Sequence, residues 1–187
     1  MLQAYWEDLQ KAYDFAAMDT TRIIAQLIGL AAMALMIASY QARRRGILFM
    51  QMASSTLWVV HFFMIGSIPA ACLNALVIPR NLLYAQKERW AFVRHIVFPC
   101  CTAAVFLVAG WLTYTKPVDI LPMAAMVISS FALYLNRENL LRACSLSVSL
   151  LWMVYDAQAG SIPGALCELI TIFSIFVALI RGRKRTA

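Results

Sequence analysis

The sequence predicts an all-α membrane protein: seven transmembrane helices arranged as two parallel three-helix bundles joined by a linker helix. Three observations predict it. First, 63% of the residues are apolar and only 13% are charged, against about 45–50% and about 25% in an ordinary soluble domain; mean hydropathy is +0.73. Second, seven mostly apolar segments approach the roughly 20 residues that a helix needs to cross a bilayer. Third, one stretch of the chain recurs 94 residues later.

Residues 1–21 form the first element, an interfacial amphipathic segment. Leu2, Tyr5, Trp6, Leu9, Tyr13 and Ala16 recur at roughly helical spacing, which places the aromatic rings at headgroup depth. Glu7, Asp8, Asp14 and Asp19 outnumber Lys11, and the apolar run begins only at Ile23, so the segment does not read as a secretory signal. Asp19, Thr20 or Thr21 is expected to cap the first membrane helix. The first bundle covers 22–86, with spans at 22–41, 47–65 and 67–86. The linker, 87–115, holds span four at 91–113. The second bundle covers 116–181, with spans at 119–135, 140–158 and 163–181, and 182–187 is a basic tail.

Basic residues set the expected orientation, because Lys and Arg accumulate on the cytoplasmic side. Arg43, Arg44 and Arg45 follow span one. Arg80, Lys87, Arg89 and Arg94 surround the turn after span three. Arg137 and Arg142 flank the turn after span five, and Arg181, Arg183, Lys184 and Arg185 close the chain. Only Lys11, Arg22 and Lys116 fall on the other side. This alternation fits seven spans with a cytoplasmic C-terminus and an external N-terminus, and topology alone accounts for the charge without a nucleic-acid partner. The five cysteines, Cys72, Cys100, Cys101, Cys144 and Cys167, lie in apolar runs without metal or redox spacing, and read as small buried hydrophobes.

The repeat governs the topology. At an offset of 94, residues 55–71 match 149–165 at nine of 17 positions, including Leu57/Leu151, Trp58/Trp152 and Gly-Ser-Ile-Pro at 66–69 and 160–163. Tyr40/Tyr134 and Arg43/Arg137 match at the same offset. Two units of three spans joined directly would face opposite ways; span four supplies the extra crossing that turns them the same way. The expected relation is a parallel repeat about an axis along the membrane normal. In each Gly-Ser-Ile-Pro turn, glycine bends the chain, serine is placed to cap, and proline is tolerated in the first turn of the next helix.

Polar residues inside these spans are the site candidates. Gln51, Ser54, Ser55, Trp58 and His61 trace one stripe along the second span; Ser145, Ser149, Trp152, Tyr155 and Asp156 trace the same stripe in the other repeat. Polar groups facing lipid are costly, so the stripes face protein or a wet cavity. Hydrogen bonding between helices is the simplest role for the serines. Trp58 and Trp152 each lie eight residues before the turn glycine, about 12 Å inward, too deep for a headgroup belt. Core packing is one role for them; in the other, two facing indoles sandwich a flat or apolar ligand face, with added attraction if the ligand is cationic. Asn74 and Glu168 occupy equivalent positions seven residues after the turn serines, about 10 Å inward, and are expected to confront one another. A lone carboxylate at mid-membrane costs at least ~2.5 kcal/mol, so Glu168 is either protonated or partnered by Asn74, His61, a cation or a substrate. His61 reads first as a neutral, hydrogen-bonded imidazole and second as a proton relay to Glu168. His95 reads as interfacial.

The Trp-bearing second helix, the 3+1+3 order and the external N-terminus resemble the SWEET/PQ-loop superfamily of sugar and small-solute carriers, and more narrowly the YgjV-type bacterial inner-membrane proteins. The likeness covers residues 22–181 by architecture and is specific in sequence around the two Trp/Gly-Ser-Ile-Pro segments. It implies a bacterial inner-membrane location and a central cavity lined by Trp58, Asn74 and Trp152, with Glu168 standing where carriers have a second Asn. A proline on the first helix of each bundle is typical of carriers; Pro122 is present in span five and span one has none. The expected function is therefore alternating-access transport of a small polar solute, cationic or proton-coupled, on a substrate site of Trp58, Asn74, Trp152, Glu168, His61, Gln51, Ser55, Ser149 and Tyr155. The second reading is a non-transporting receptor, lipid-binding or scaffold protein. No enzyme, cofactor or metal motif is present in the sequence, and a monomer suffices for seven spans.

Overall fold

The computed structural model describes residues 19–39, 44–87, 89–134 and 138–183. Of the interfacial segment expected at 1–21, residues 1–18 lie outside them, as do Tyr40, Arg43, Arg137, Lys184 and Arg185, while Thr20 and Thr21 belong to the first helix. Seven long helices account for most of the described chain: α1 Thr20–Ser39, α2 Arg44–Met64, α3 Ile68–Ala85, α4 Val97–Leu112, α5 Ile120–Tyr134, α6 Glu138–Ala159 and α7 Ile162–Arg183. Short 3-10 turns at Ala91–Arg94 and Pro117–Asp119 precede α4 and α5, and no strand occurs among the described residues. Thr20–Ser39, Ile68–Ala85 and Pro117–Tyr134 are each long and apolar enough to cross a bilayer. Helices α2 and α6, which carry the polar stripes, are less apolar, and α4 has only 16 residues, about 24 Å of rise.

Local chemistry sets the helix ends. Asp19 caps α1: its carboxylate accepts from the Arg22 N–H at 2.8 Å. The two repeated turns close in the same way. Gly66 and Gly160 have φ of 79° and 71°, a left-handed conformation that only glycine adopts without strain. The Ser67 N–H donates to the Phe62 carbonyl at 2.8 Å and the Ser161 N–H to the Asp156 carbonyl at 2.9 Å, the long bond of a Schellman cap. The expected serine caps divide between the repeats. Ser161 Oγ accepts from the Gly164 N–H at 3.2 Å, whereas the Ser67 side chain makes no cap bond. Span four begins later than expected, at Val97 rather than Ala91. Pro99, which has no N–H to donate, falls in the first turn of α4, where it disrupts the helix least.

Sequential helices pack on one another: α1 on α2, α2 on α3, α5 on α6 and α6 on α7. Helix α4 lies against α5 and α3, while α1–α7 and α3–α5 contacts join the halves. One apolar core crosses that junction, with Phe62, Leu73 and Val77 from the first repeat, Phe106 from α4, and Met123, Met126, Trp152 and Tyr155 from the second. The exterior is also apolar: Phe49, Trp111, Leu112 and Phe173 are 70–79% exposed. An aqueous surface does not carry such a belt, whereas lipid accepts it. Cys100 and Cys101 lie on this outer surface and only Cys167 is buried, which corrects the expectation that all five thiols are internal. Their helix α4 presents most of its circumference outward, so their place in the apolar run does not imply burial.

Candidate functional site

The two polar stripes and the facing walls of α3, α5 and α7 line a half-open cavity of about 330 Å³. Gln51, Ser55, Trp58, Asn74, Ser149, Trp152 and Glu168 line it, together with Ser54, Ser145 and Asp156. Its walls run from Phe62, Asp156 and Gly164, near the two glycine turns, to Arg80, Asn81, Leu133 and Ser145, toward the opposite helix ends. Both repeats contribute, because the inward faces of α2 and α6 carry serine where lipid-facing positions carry leucine or phenylalanine.

His61 and Tyr155 do not line this cavity. Three residues span 300° of a 3.6-residue helix, so each further step of three turns a side chain about 60° away from the stripe. From Trp58 that drift carries His61 onto α1, where its Nδ1 lies 2.7 Å from the Ala25 carbonyl and its Nε2 2.8 Å from Ser161 Oγ. Both ring nitrogens are occupied, and neither reaches Glu168. Tyr155, the counterpart of His61 at the offset of 94, places its hydroxyl against the Ser67 side chain and the Ala70 backbone. Each repeat thus reaches across to the turn serine of the other. Gln26 adds a third link, donating from Nε2 to the Gly160 carbonyl at 2.8 Å. Close packing accompanies it: a side chain at Gly29 would collide with Pro163 and His61.

The two indoles do not face each other as expected. Phe62 lies between them, stacked on Trp58 with centroids 5.7 Å apart and tilted against Trp152 at 5.9 Å. Phe62 follows Trp58 by four residues, about 40° further round the helix, and so remains on the cavity face. This three-ring ladder, backed by the His61 and Tyr155 links, packs across the turn-side end of the cavity.

Asn74 and Glu168 both line the cavity. The Asn74 amide donates to the Ala70 carbonyl at 3.0 Å within its own helix, and the Glu168 carboxyl faces the Ser149 hydroxyl. Two further ionisable groups line the site: Asp156, the last residue of the second stripe, and Arg80. Asp156 is 2% exposed, its Oδ1 has no hydrogen-bond partner, and Gly164 leaves the space that its carboxyl occupies. Arg80, expected at the membrane edge, is instead buried at 8% exposure. Its Nη1 donates to Ser129 at 2.7 Å, its Nε and Nη2 donate to Asn81 at 3.2 and 3.1 Å, and the guanidinium lies over the Phe106 ring at 5.4 Å. Spacing was the available signal: Arg80 follows Ser67 by 13 residues, about 20 Å along the helix, well inside the span. No group of three or more metal-binding side chains occurs among the described residues.

An apolar outer belt around a polar internal cavity defines a helical integral membrane protein. The family comparison agrees: the chain belongs to the Imp-YgjV family of bacterial inner membrane proteins, whose model matches residues 23–186. It is 29% identical over 113 residues to the inner membrane protein YgjV of Escherichia coli (strain K12). That alignment covers 58% of this chain and 56% of the relative, so the chain matches little more than half of the relative's length. No solved structure matches.

Proposed function

We propose that this protein is a SWEET-like carrier that moves a small polar solute by alternating access. In this reading α1–α3 and α5–α7 are two triple-helix bundles, parallel about an axis along the membrane normal, and α4 is the linker. The N-terminus is periplasmic and the C-terminus cytoplasmic. The protein is not an enzyme, and its partners are the bilayer and the solute, with no nucleic acid.

One observation carries the proposal: a 330 Å³ cavity lined by polar groups from equivalent positions of both repeats. The reciprocal contacts of His61 with Ser161 and of Tyr155 with Ser67 support the twofold relation, since such an axis generates paired contacts between equivalent positions. Packed rings at the turn side, with polar walls running the other way, correspond to a carrier closed on one face. Rocking would exchange that closure for one near Arg80 and Leu133. A scaffold or receptor with the same fold is favoured by one feature, the absence of proline from α1.

Proteoliposome uptake discriminates the two. Uptake of the bound solute against an empty-liposome control supports the carrier. Glu168 is assigned the proton or cation step, so uptake in the wild type depends on pH and Glu168→Gln removes that dependence. An unchanged pH profile in the variant sinks the role given to Glu168, and binding without uptake leaves the receptor reading.

A further inference from the structure

Charge is divided unequally between the repeats. Of the cavity's three ionisable charges, two acids, Asp156 and Glu168, come from the second repeat. Their counterparts 94 positions earlier are Phe62 and Asn74. The base, Arg80, comes from the first repeat, and its counterpart is Ser174, which is exposed on α7. The repeat itself therefore does not account for these three groups.

Arg80 has no carboxylate partner among the described residues. A guanidinium has five N–H donors and stays protonated. Arg80 directs Nε and one N–H of Nη2 to a single Asn81 oxygen, and one N–H of Nη1 to Ser129. One N–H on each Nη remains to donate, and a carboxylate is the acceptor that a guanidinium binds most strongly. At the other end, Asp156 Oδ1 is buried and unpartnered on the cavity wall. Glu168 is seven residues from Ser161 and Arg80 is 13 from Ser67, so their backbones differ in depth by about 9 Å. The guanidinium and the two carboxyl groups face one cavity, and no ion pair joins them among the described residues.

We propose that the cavity binds a zwitterion whose charges are well separated, an ammonium carboxylate of the ω-amino acid class. The carboxylate lies on Arg80 and the ammonium between Asp156 and Glu168, against the Trp58 and Trp152 rings. Such a ligand compensates both poles at once; a simple amine or carboxylate compensates one, and a neutral sugar neither. The inference rests on the cavity being a ligand site, as the carrier reading has it, but binding does not require transport.

Calorimetric titration of the purified full-length protein in detergent tests it. The probes are γ-aminobutyrate and ε-aminocaproate, with butyrate, caproate, butylamine, hexylamine and glucose for comparison. At least one zwitterion is expected to bind about tenfold or more tighter than its matched amine and its matched acid. Arg80→Gln brings it to the level of the amine, Arg80→Lys retains part of the preference, and Glu168→Gln brings it toward the acid. The wild-type panel decides even if a variant fails to fold. An amine or acid binding as tightly as its zwitterion overturns the proposal, as does glucose binding alone or no binding of either zwitterion. A zwitterion that binds but is not taken up by proteoliposomes removes the carrier reading and leaves this one. Uptake of glucose without zwitterion binding does the reverse.

Discussion

Replacing Ser161 by alanine removes one hydroxyl on which two groups depend. The Ala25 carbonyl can only accept, so His61 Nδ1, 2.7 Å away, carries the proton. Nε2 of the neutral ring is then an acceptor, and the Ser161 hydroxyl donates to it at 2.8 Å. The same oxygen accepts from the Gly164 N–H, one of the orphan donors of the first turn of α7. In Ser161→Ala both partners are left unpaired in a site where His61 is wholly buried. Loss of an N-terminal cap costs about 1 kcal/mol. A hydrogen bond between membrane helices averages about 0.6 and reaches about 1.7 kcal/mol. The expected loss is therefore about 1.5–3 kcal/mol. Ser67→Ala is the internal control, because Ser67 caps nothing with its side chain and stands to lose only its Tyr155 contact, about 0.6 kcal/mol. Equilibrium unfolding in mixed detergent micelles, followed by helix content, measures both. A double-mutant cycle of Ser161→Ala with His61→Phe isolates the cross-repeat bond and is expected to give about 0.6–1.7 kcal/mol of coupling. Equal losses for the two serine variants, or zero coupling, refute the reasoning.

Gly66→Ala and Gly160→Ala each force a Cβ into a positive-φ cap; both are expected to lose about 1–2 kcal/mol in the same unfolding assay, and a neutral result at either position excludes that cap as a constraint. Gly29→Ala places a methyl against Pro163 and His61 and is expected to cost about 1–3 kcal/mol, partly recovered by adding Pro163→Ala; no recovery locates the strain elsewhere. Phe62→Ala removes the middle ring of the ladder. Cys167 lines the cavity and is otherwise buried, so its modification by a membrane-impermeant thiol reagent from the turn side should accelerate, and an unchanged rate shows that Phe62 does not close that end.

Much of the helix order was legible because helix length and apolar content are local properties. The duplicated turns were legible for a related reason: glycine in a left-handed cap and proline in a first turn have few substitutes, so the motif repeats wherever that bend repeats. Gln51, Ser55, Trp58, Ser149 and Trp152 lie on the cavity wall, His61 takes the buried, hydrogen-bonded place that was its first reading, and neither it nor Tyr155 lines the cavity. A step of three residues leaves the stripe by about 60°, and whether a side chain that far round meets the cavity or a neighbouring helix depends on where that neighbour lies. Arg80 was grouped with the flanking basic residues because charge near a span end is usually topological; its 13-residue distance from Ser67 argued otherwise.

The sequence by itself determined the membrane class, the approximate helix boundaries, the repeated turn motif and how far Trp58, Asn74, Trp152 and Glu168 lie from the turns along their helices, since each follows from composition or from counting residues. Only the tertiary structure decided which of those side chains share one cavity, that Phe62 separates the indoles, that His61 and Tyr155 bind across the repeats, and that Arg80 and Asp156 join the cavity wall. Those outcomes depend on rotation and packing between helices distant in sequence. The energies involved, tenths to a few kcal/mol per contact, are fixed by which surfaces meet rather than by the residues of either helix alone.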